Sequence, residues 1–174
     1  MTLFRRRERT PGELVAMLPA GERVVSWAET ATGSFVAATP TGLWWPDAQG
    51  LRCIGWERVD KAVWQRDGTL TVVEADLVDE LFLVDRAPVV IALATPRDLP
   101  PTVRERVESN IARSDVYPVP GGSARFVARR IPGRDGLVWW VRLEDGLRPD
   151  ERVRAHVQRR IDALRAASVA DQPW

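Results

Sequence analysis

The chain has 174 residues, 45% of them hydrophobic and 28% charged, with 12 Gly, 13 Pro and a formal net charge of +1. That composition excludes collagen-like, low-complexity and membrane-bundle sequences and fits an ordinary globular domain. The lone Cys53 cannot make an internal disulfide. The opening residues MTLFRRRERT lack the apolar stretch of a secretory signal, and the longest apolar run, Val89 to Ala94, is far short of the roughly 20 residues that span a bilayer. A cytoplasmic protein without a transmembrane segment is expected.

The small net charge conceals an uneven distribution. Residues 1–12 form a basic tip, with Arg5, Arg6, Arg7 and Arg9 against Glu8. Residues 13–95 carry twelve acidic side chains against six basic ones, and residues 96–174 fifteen basic against eleven acidic. Such asymmetry either draws an anionic surface or an acidic partner, or holds two parts of one molecule together; the second reading is the simpler.

In chain order, Thr10-Pro11-Gly12-Glu13 offers a helix cap, a proline at the first helical position and an early glutamate, followed by Leu14, Met17 and Leu18 at helical spacing. A short helix should end at Pro19-Ala20-Gly21. From Glu22 to Leu93 the period changes to two. Strands are predicted around Val24–Ala28, Phe35–Ala37, Leu43–Trp45, Leu51–Trp56, Lys61–Gln65, Leu70–Glu74, Leu81–Val84 and Val89–Leu93, separated mostly by tight turns. Seven or eight short strands at intervals of about ten residues indicate an antiparallel barrel or sandwich, and no parallel sheet is expected.

A helix then enters through Pro100-Pro101-Thr102. Its narrow apolar stripe, Val103, Val107 and Ile111, predicts that it plugs the open end or face of the preceding strands. Residues 114–123 read as a loop. Arg125–Ile131 and Leu137–Leu143 read as a hairpin, and a last helix from near Pro149 carries Val153, Val157, Ile161 and Leu164 on one face. A lone hairpin and helix are too small for a core of their own, so this extension is expected to dock on the first unit, with a frayed tail from Ala166. The expected organisation is a basic tip (1–12), a helix-capped barrel (13–114), a hairpin-helix extension (115–167) and a flexible tail (168–174).

Eight tryptophans are many for this length, and the indole serves either core packing or the anchor of an interface. Strand parity assigns Trp27 and Trp139 to the core. In the pairs Trp44-Trp45 and Trp139-Trp140 alternation sends one ring to each side of a sheet. Trp140 therefore lies with Arg142 on the face opposite Trp139, either under the last helix or as a partner-binding surface.

No pattern carries catalytic or metal chemistry. His156 is the only histidine and has no nearby Ser, Cys or second His. Cys53 sits in a strand pattern and reads as a small buried hydrophobe. The acidic stretch Glu74, Asp76, Asp79, Glu80 and Asp85 lacks the spacing of a calcium loop and reads as a solvated turn. Gly121-Gly122-Ser123 leads into a strand, so it presents no helix N-terminus to a phosphate. The Arg-rich last helix carries Glu151 and Asp162, and no helix-turn-helix or zinc pattern accompanies it, so nucleic acid is not expected as a partner.

The segments LPAGERVVSWAE, FVAATPTGLWW, IGWERVDKAVW and TLTVVEADL, followed by a helix entered through PRDLPP, resemble uncharacterised bacterial proteins with a pleckstrin-homology-like (PH-like) domain. The resemblance covers about residues 13–114. It implies an α+β, mainly β fold: an antiparallel barrel or sandwich of about seven strands capped by a helix, here followed by a C-terminal hairpin and helix. It also implies a scaffold often used to bind phosphoinositides, peptides or proteins, though a shared fold does not fix a function. The basic first loop of lipid-reading members is missing, because Ala28 to Ser34 contains Glu29 and no Lys or Arg. The resulting expectation is a non-enzymatic binding or assembly module without a cofactor. It would bind an unknown protein partner through Trp140 and Arg142 or, alternatively, contact anionic lipid peripherally through Arg5, Arg6 and Arg7.

Overall fold

The computed structural model describes residues 9–144 and 146–170, with the side chains of 168–170 left aside. The fold is mainly β. The described residues include the α-helices α1 (Gly12–Met17), α2 (Leu99–Asn110) and α3 (Glu151–Ala170). The strands are β1 (Ser26–Thr30), β2 (Phe35–Ala38), β3 (Gly42–Asp47), β4 (Gly50–Gly55), β5 (Val59–Trp64), β6 (Thr69–Val78), β7 (Phe82–Asp85), β8 (Val89–Thr95), β9 (Ile111–Val119), β10 (Gly122–Arg129) and β11 (Val138–Leu143). Two compact units emerge, Met1–Val73 with Pro88–Val107, and Glu74–Ala87 with Glu108–Trp174. The ten-residue strand β6 passes from one into the other.

In the first unit the sheet runs β4-β3-β2-β1-β8-β6, with β5 beside β6. It is open, since β4 and β5 lie at its two ends. The tight turns that the sequence marks supply the antiparallel connections: Thr30 Oγ1 accepts from the Ser34 amide at 3.0 Å, and Gly33 takes a φ of 80°. At the next turn Thr39, fully buried, accepts from the Trp44 indole through its hydroxyl (3.1 Å) and from the Trp56 indole through its carbonyl (2.9 Å). One threonine thus satisfies two indole donors that burial would otherwise leave costly.

Apolar clusters lie on both faces of the β1–β4 part of this sheet. Inside lie Ala28, Val36, Leu43, Trp45, Ile54, Trp56, Leu70, Val72, Ile91 and Leu93, closed by Leu99, Val103 and Val107 of α2. The helix is the expected plug, but it stops at Asn110, and Ile111 opens β9. On the outer face Leu14 and Leu18, at either end of the α1 segment, join Phe35 and Ala37, with Val24, Trp27, Trp44 and Leu51 partly buried against them. Trp27 is therefore not in the inner core but partly buried against the outer cluster: on β1 it is Ser26, Ala28 and Thr30 that point inward and are buried. Its ring meets Phe35 edge-on at 6.0 Å and carries the Arg97 guanidinium at 3.8 Å. Helix α1 starts one residue later than expected, with Pro11 at the cap position and no side-chain capping bond, so Thr10 does not cap it.

In the second unit the order is β6-β7-β11-β10-β9. The stretch read as a loop, 114–123, is instead the end of β9, a tight turn and the start of β10. Arg113, Ser114, Asp115 and Pro118 disguise β9, which is an edge strand and tolerates them. A second departure is the parallel pairing of β7 with β11, at Phe82 and Val141. Alternation reports burial, not strand direction, and the long chain between the two strands permits either sense. Together with segment 74–87, β9 enlarges what looked like a hairpin and helix into a unit with two apolar clusters of its own. Phe82, Phe126, Trp139 and Val141 share one with Val153, Val157, Ile161 and Leu164 of α3. The helix is capped by Asp150, whose carboxylate accepts from the Val153 amide at 2.8 Å, and it continues through the expected frayed stretch to Ala170. The three-residue β6–β7 connection, 79–81, places Asp79 and Glu80 at φ values of 52° and 55°, in the left-handed region, and the Leu81 amide donates to the Val78 carbonyl at 3.1 Å to close the turn.

Gly42 and Gly55 face each other across β3 and β4. A Cβ on Gly42 would meet the Ile54 carbonyl oxygen at 2.2 Å, whereas one on Gly55 would meet only the mobile end of Glu57. Gly42→Ala should therefore cost about 1–3 kcal/mol of stability and Gly55→Ala much less. Chemical denaturation of the two variants checks this, and equal midpoints would refute the close approach.

Candidate functional site

The exposed apolar surface that a partner can reach begins with the β5–β6 hairpin. Asp67 Oδ1 accepts from both the amide (3.0 Å) and the hydroxyl (2.7 Å) of Thr69, and the Gln65 amide donates to the Thr69 carbonyl at 2.9 Å. These bonds fix the turn, and the Thr69 donors hold the Asp67 carboxyl below its usual range. Strand β5 pairs with β6 alone among the described residues. Val59 is fully buried and Ala62 packs on the inner core, which fixes the strand. Its end presents Val63 and Trp64 at 36% and 38% exposure, with Lys61 also exposed. An exposed indole at the end of an edge strand has the chemistry of an anchor for a partner strand.

The residues singled out from sequence fall elsewhere. Trp140 is 5% exposed, packed in a cluster with Ala75 and Leu83 against which Leu77, Ile131 and Val138 also lie. It does not offer a binding surface, and it is not α3 that shares its cluster but the 74–87 segment. Arg142 pairs with Asp85 at 2.7 Å. Trp139 is 2% exposed in the α3 core, as parity required. Trp45 lies in the inner core of the first unit and Trp44 on its outer face, also as alternation required. Arg5, Arg6 and Arg7 lie outside the described residues.

The acidic stretch is held by arginines. Arg86 bonds Asp76 at 2.9 Å and Glu74 at 3.2 Å, and these carboxylates, Asp76 foremost, raise the guanidinium above its ordinary value. Arg154 pairs with Asp79. No group of three or more His, Cys, Asp or Glu side chains placed to hold a metal occurs among the described residues. Cys53 is half-buried on β4, and its thiol is pushed up to about 11, mainly by burial, so at neutral pH it is protonated and a poor nucleophile. His156 is half-buried on α3.

Sequence reading did not single out Val63 and Trp64, the exposed pair at the end of β5. The available signal was the Arg66-Asp67-Gly68 turn, which makes β5 one arm of a hairpin, but nothing in the sequence says that its other side has no neighbour. Family models, curated proteins and solved structures give no significant match to this chain. No helix among the described residues is long and apolar enough to cross a membrane.

Since Trp140 is packed, Trp140→Ala should lower stability by about 3–5 kcal/mol, and Arg142→Ala, at a partly exposed ion pair, by about 1 kcal/mol or less. Denaturant titration followed by circular dichroism distinguishes them; an unchanged midpoint for Trp140→Ala would return the ring to the surface.

Proposed function

We propose that the chain is a non-enzymatic, PH-like protein-binding module of the cytoplasm that takes a partner segment in extended form along β5. A meander β1–β4 followed by β8, β6 and β5 in one open sheet, with α2 closing its core, supports the PH-like reading. The observation that carries the binding reading is the combination at the end of β5: a strand that pairs with β6 alone among the described residues, and Val63 and Trp64 exposed on it. A strand added there would gain main-chain hydrogen bonds for affinity, while its side chains meet Trp64 for specificity. Neither a cofactor nor nucleic acid enters this reading.

The test is selection of displayed random peptides on the intact protein, followed by calorimetry of the peptides obtained. Apolar, extended peptides are expected, with affinity falling at least about tenfold on Trp64→Ala. Peptides indifferent to that substitution, or none at all, would remove β5 as the site.

A second reading, peripheral contact with an anionic membrane, is favoured by Val15 and Met17, 54% and 41% exposed on α1 just after the basic tip. Sedimentation with phosphatidylserine vesicles that weakens on Arg5, Arg6 and Arg7→Ala and on Met17→Ser would support it. Equal recovery with neutral vesicles would exclude it.

A further inference from the structure

The second unit ends in a free edge of its own. Strand β9, nine residues long, is the last in the order and pairs only with β10 among the described residues. Its backbone direction can be worked out. Val119 pairs with Gly122 across a two-residue turn, and the Ser123 carbonyl faces away from β9, accepting from the Glu144 amide at 3.1 Å. Antiparallel alternation then directs the N–H and C=O of Arg113, Asp115 and Tyr117 toward β10, and those of Ser114 and Val116 outward.

The side chains on this edge are self-complementary in one register. Arg113 and Asp115 share a face, 3.6 Å apart, on either side of Ser114, with side chains 44% and 42% exposed. An antiparallel copy of the same strand centred on Ser114 sets Ser114 against its own equivalent, where the outward amides and carbonyls exchange hydrogen bonds. Arg113 then falls opposite the partner's Asp115, and Asp115 opposite the partner's Arg113. These are non-hydrogen-bonded positions, where facing side chains come closest. Val116, 47% exposed, falls opposite the partner's Ala112. Other registers lose this charge matching, and displacement by two residues leaves charges without opposites. The same residues that discourage indiscriminate edge pairing therefore permit one arrangement, a two-fold one.

We infer that β9 is a docking edge for a second copy of this chain, forming a two-fold dimer by antiparallel pairing centred on Ser114. The pairing is short, because the register shift near Ala128 and Arg129 interrupts the regular ladder toward the start of β9. A reversible dimer is expected.

Sedimentation of the intact protein from about 1 µM to about 1 mM covers the range of ordinary reversible association. Self-association is expected, weakened at least about tenfold by either Arg113→Asp or Asp115→Arg, each of which sets like charges opposite one another. An equimolar mixture of the two variants restores opposite charges at both positions and should recover the dimer as a heterodimer. Circular dichroism of each variant confirms that it is folded. A wild-type chain monomeric throughout, a dimer indifferent to both substitutions, or a mixture that fails to associate would each overturn the inference. Because β5 is not involved, Trp64→Ala should leave the dimer unchanged.

Discussion

Two pairs of neighbouring tryptophans constrain the architecture more than any other feature. Adjacent residues on a strand point to opposite faces, so Trp44-Trp45 and Trp139-Trp140 each place a large apolar ring on both sides of a sheet. A sheet loaded in this way must be covered twice. In the first unit Trp45 enters the core that α2 closes and Trp44 lies on the outer face with the α1 segment. In the second, Trp139 shares its core with α3, and Trp140 is packed with residues of the 74–87 segment. The six-residue helix α1, without a side-chain cap, is held by Leu14 and Leu18 meeting that demand, not by its own helical stability.

This double cover decides which surfaces remain for partners. Rings that would otherwise serve as interface anchors are consumed in packing, and the exposed apolar residues shift to strand edges and outward faces: Val63 and Trp64 on β5, Val90 on β8 and Val116 on β9. In the proposed binding mode, main-chain groups at an open edge would supply affinity without charge, and the few side chains beside them would set register.

Electrostatics in the second unit follow the charge asymmetry of the sequence. Asp79 and Asp85, from the acidic middle of the chain, pair with Arg154 and Arg142 from its basic end, whereas Glu74 and Asp76 pair with Arg86 inside the middle segment itself. The first two pairs support the view that uneven charge here joins segments distant in sequence. Because every pair has at least one partner 42% or more exposed, the pairs contribute more to choosing the arrangement than to its stability.

Most of strands β1 to β8, the helix α2, the α3 stripe and the division of each tryptophan pair were legible in the sequence, since period and turn chemistry are local properties of the chain; β6, however, runs on to Val78 through Asp76, in a stretch that reads as an acidic turn. Strand β9 was not: its polar residues and Pro118 obey the rules of an edge, and only its neighbours show that it is one. Nor could the sequence place Trp140, because alternation gives the face on which a ring lies but not what covers that face. The parallel contact of β7 with β11 and the edge positions of β5 and β9 belong to the same class. Local geometry follows from the order of residues, whereas burial of a face and exposure of an edge depend on segments far apart in the chain, and only the tertiary structure decides those.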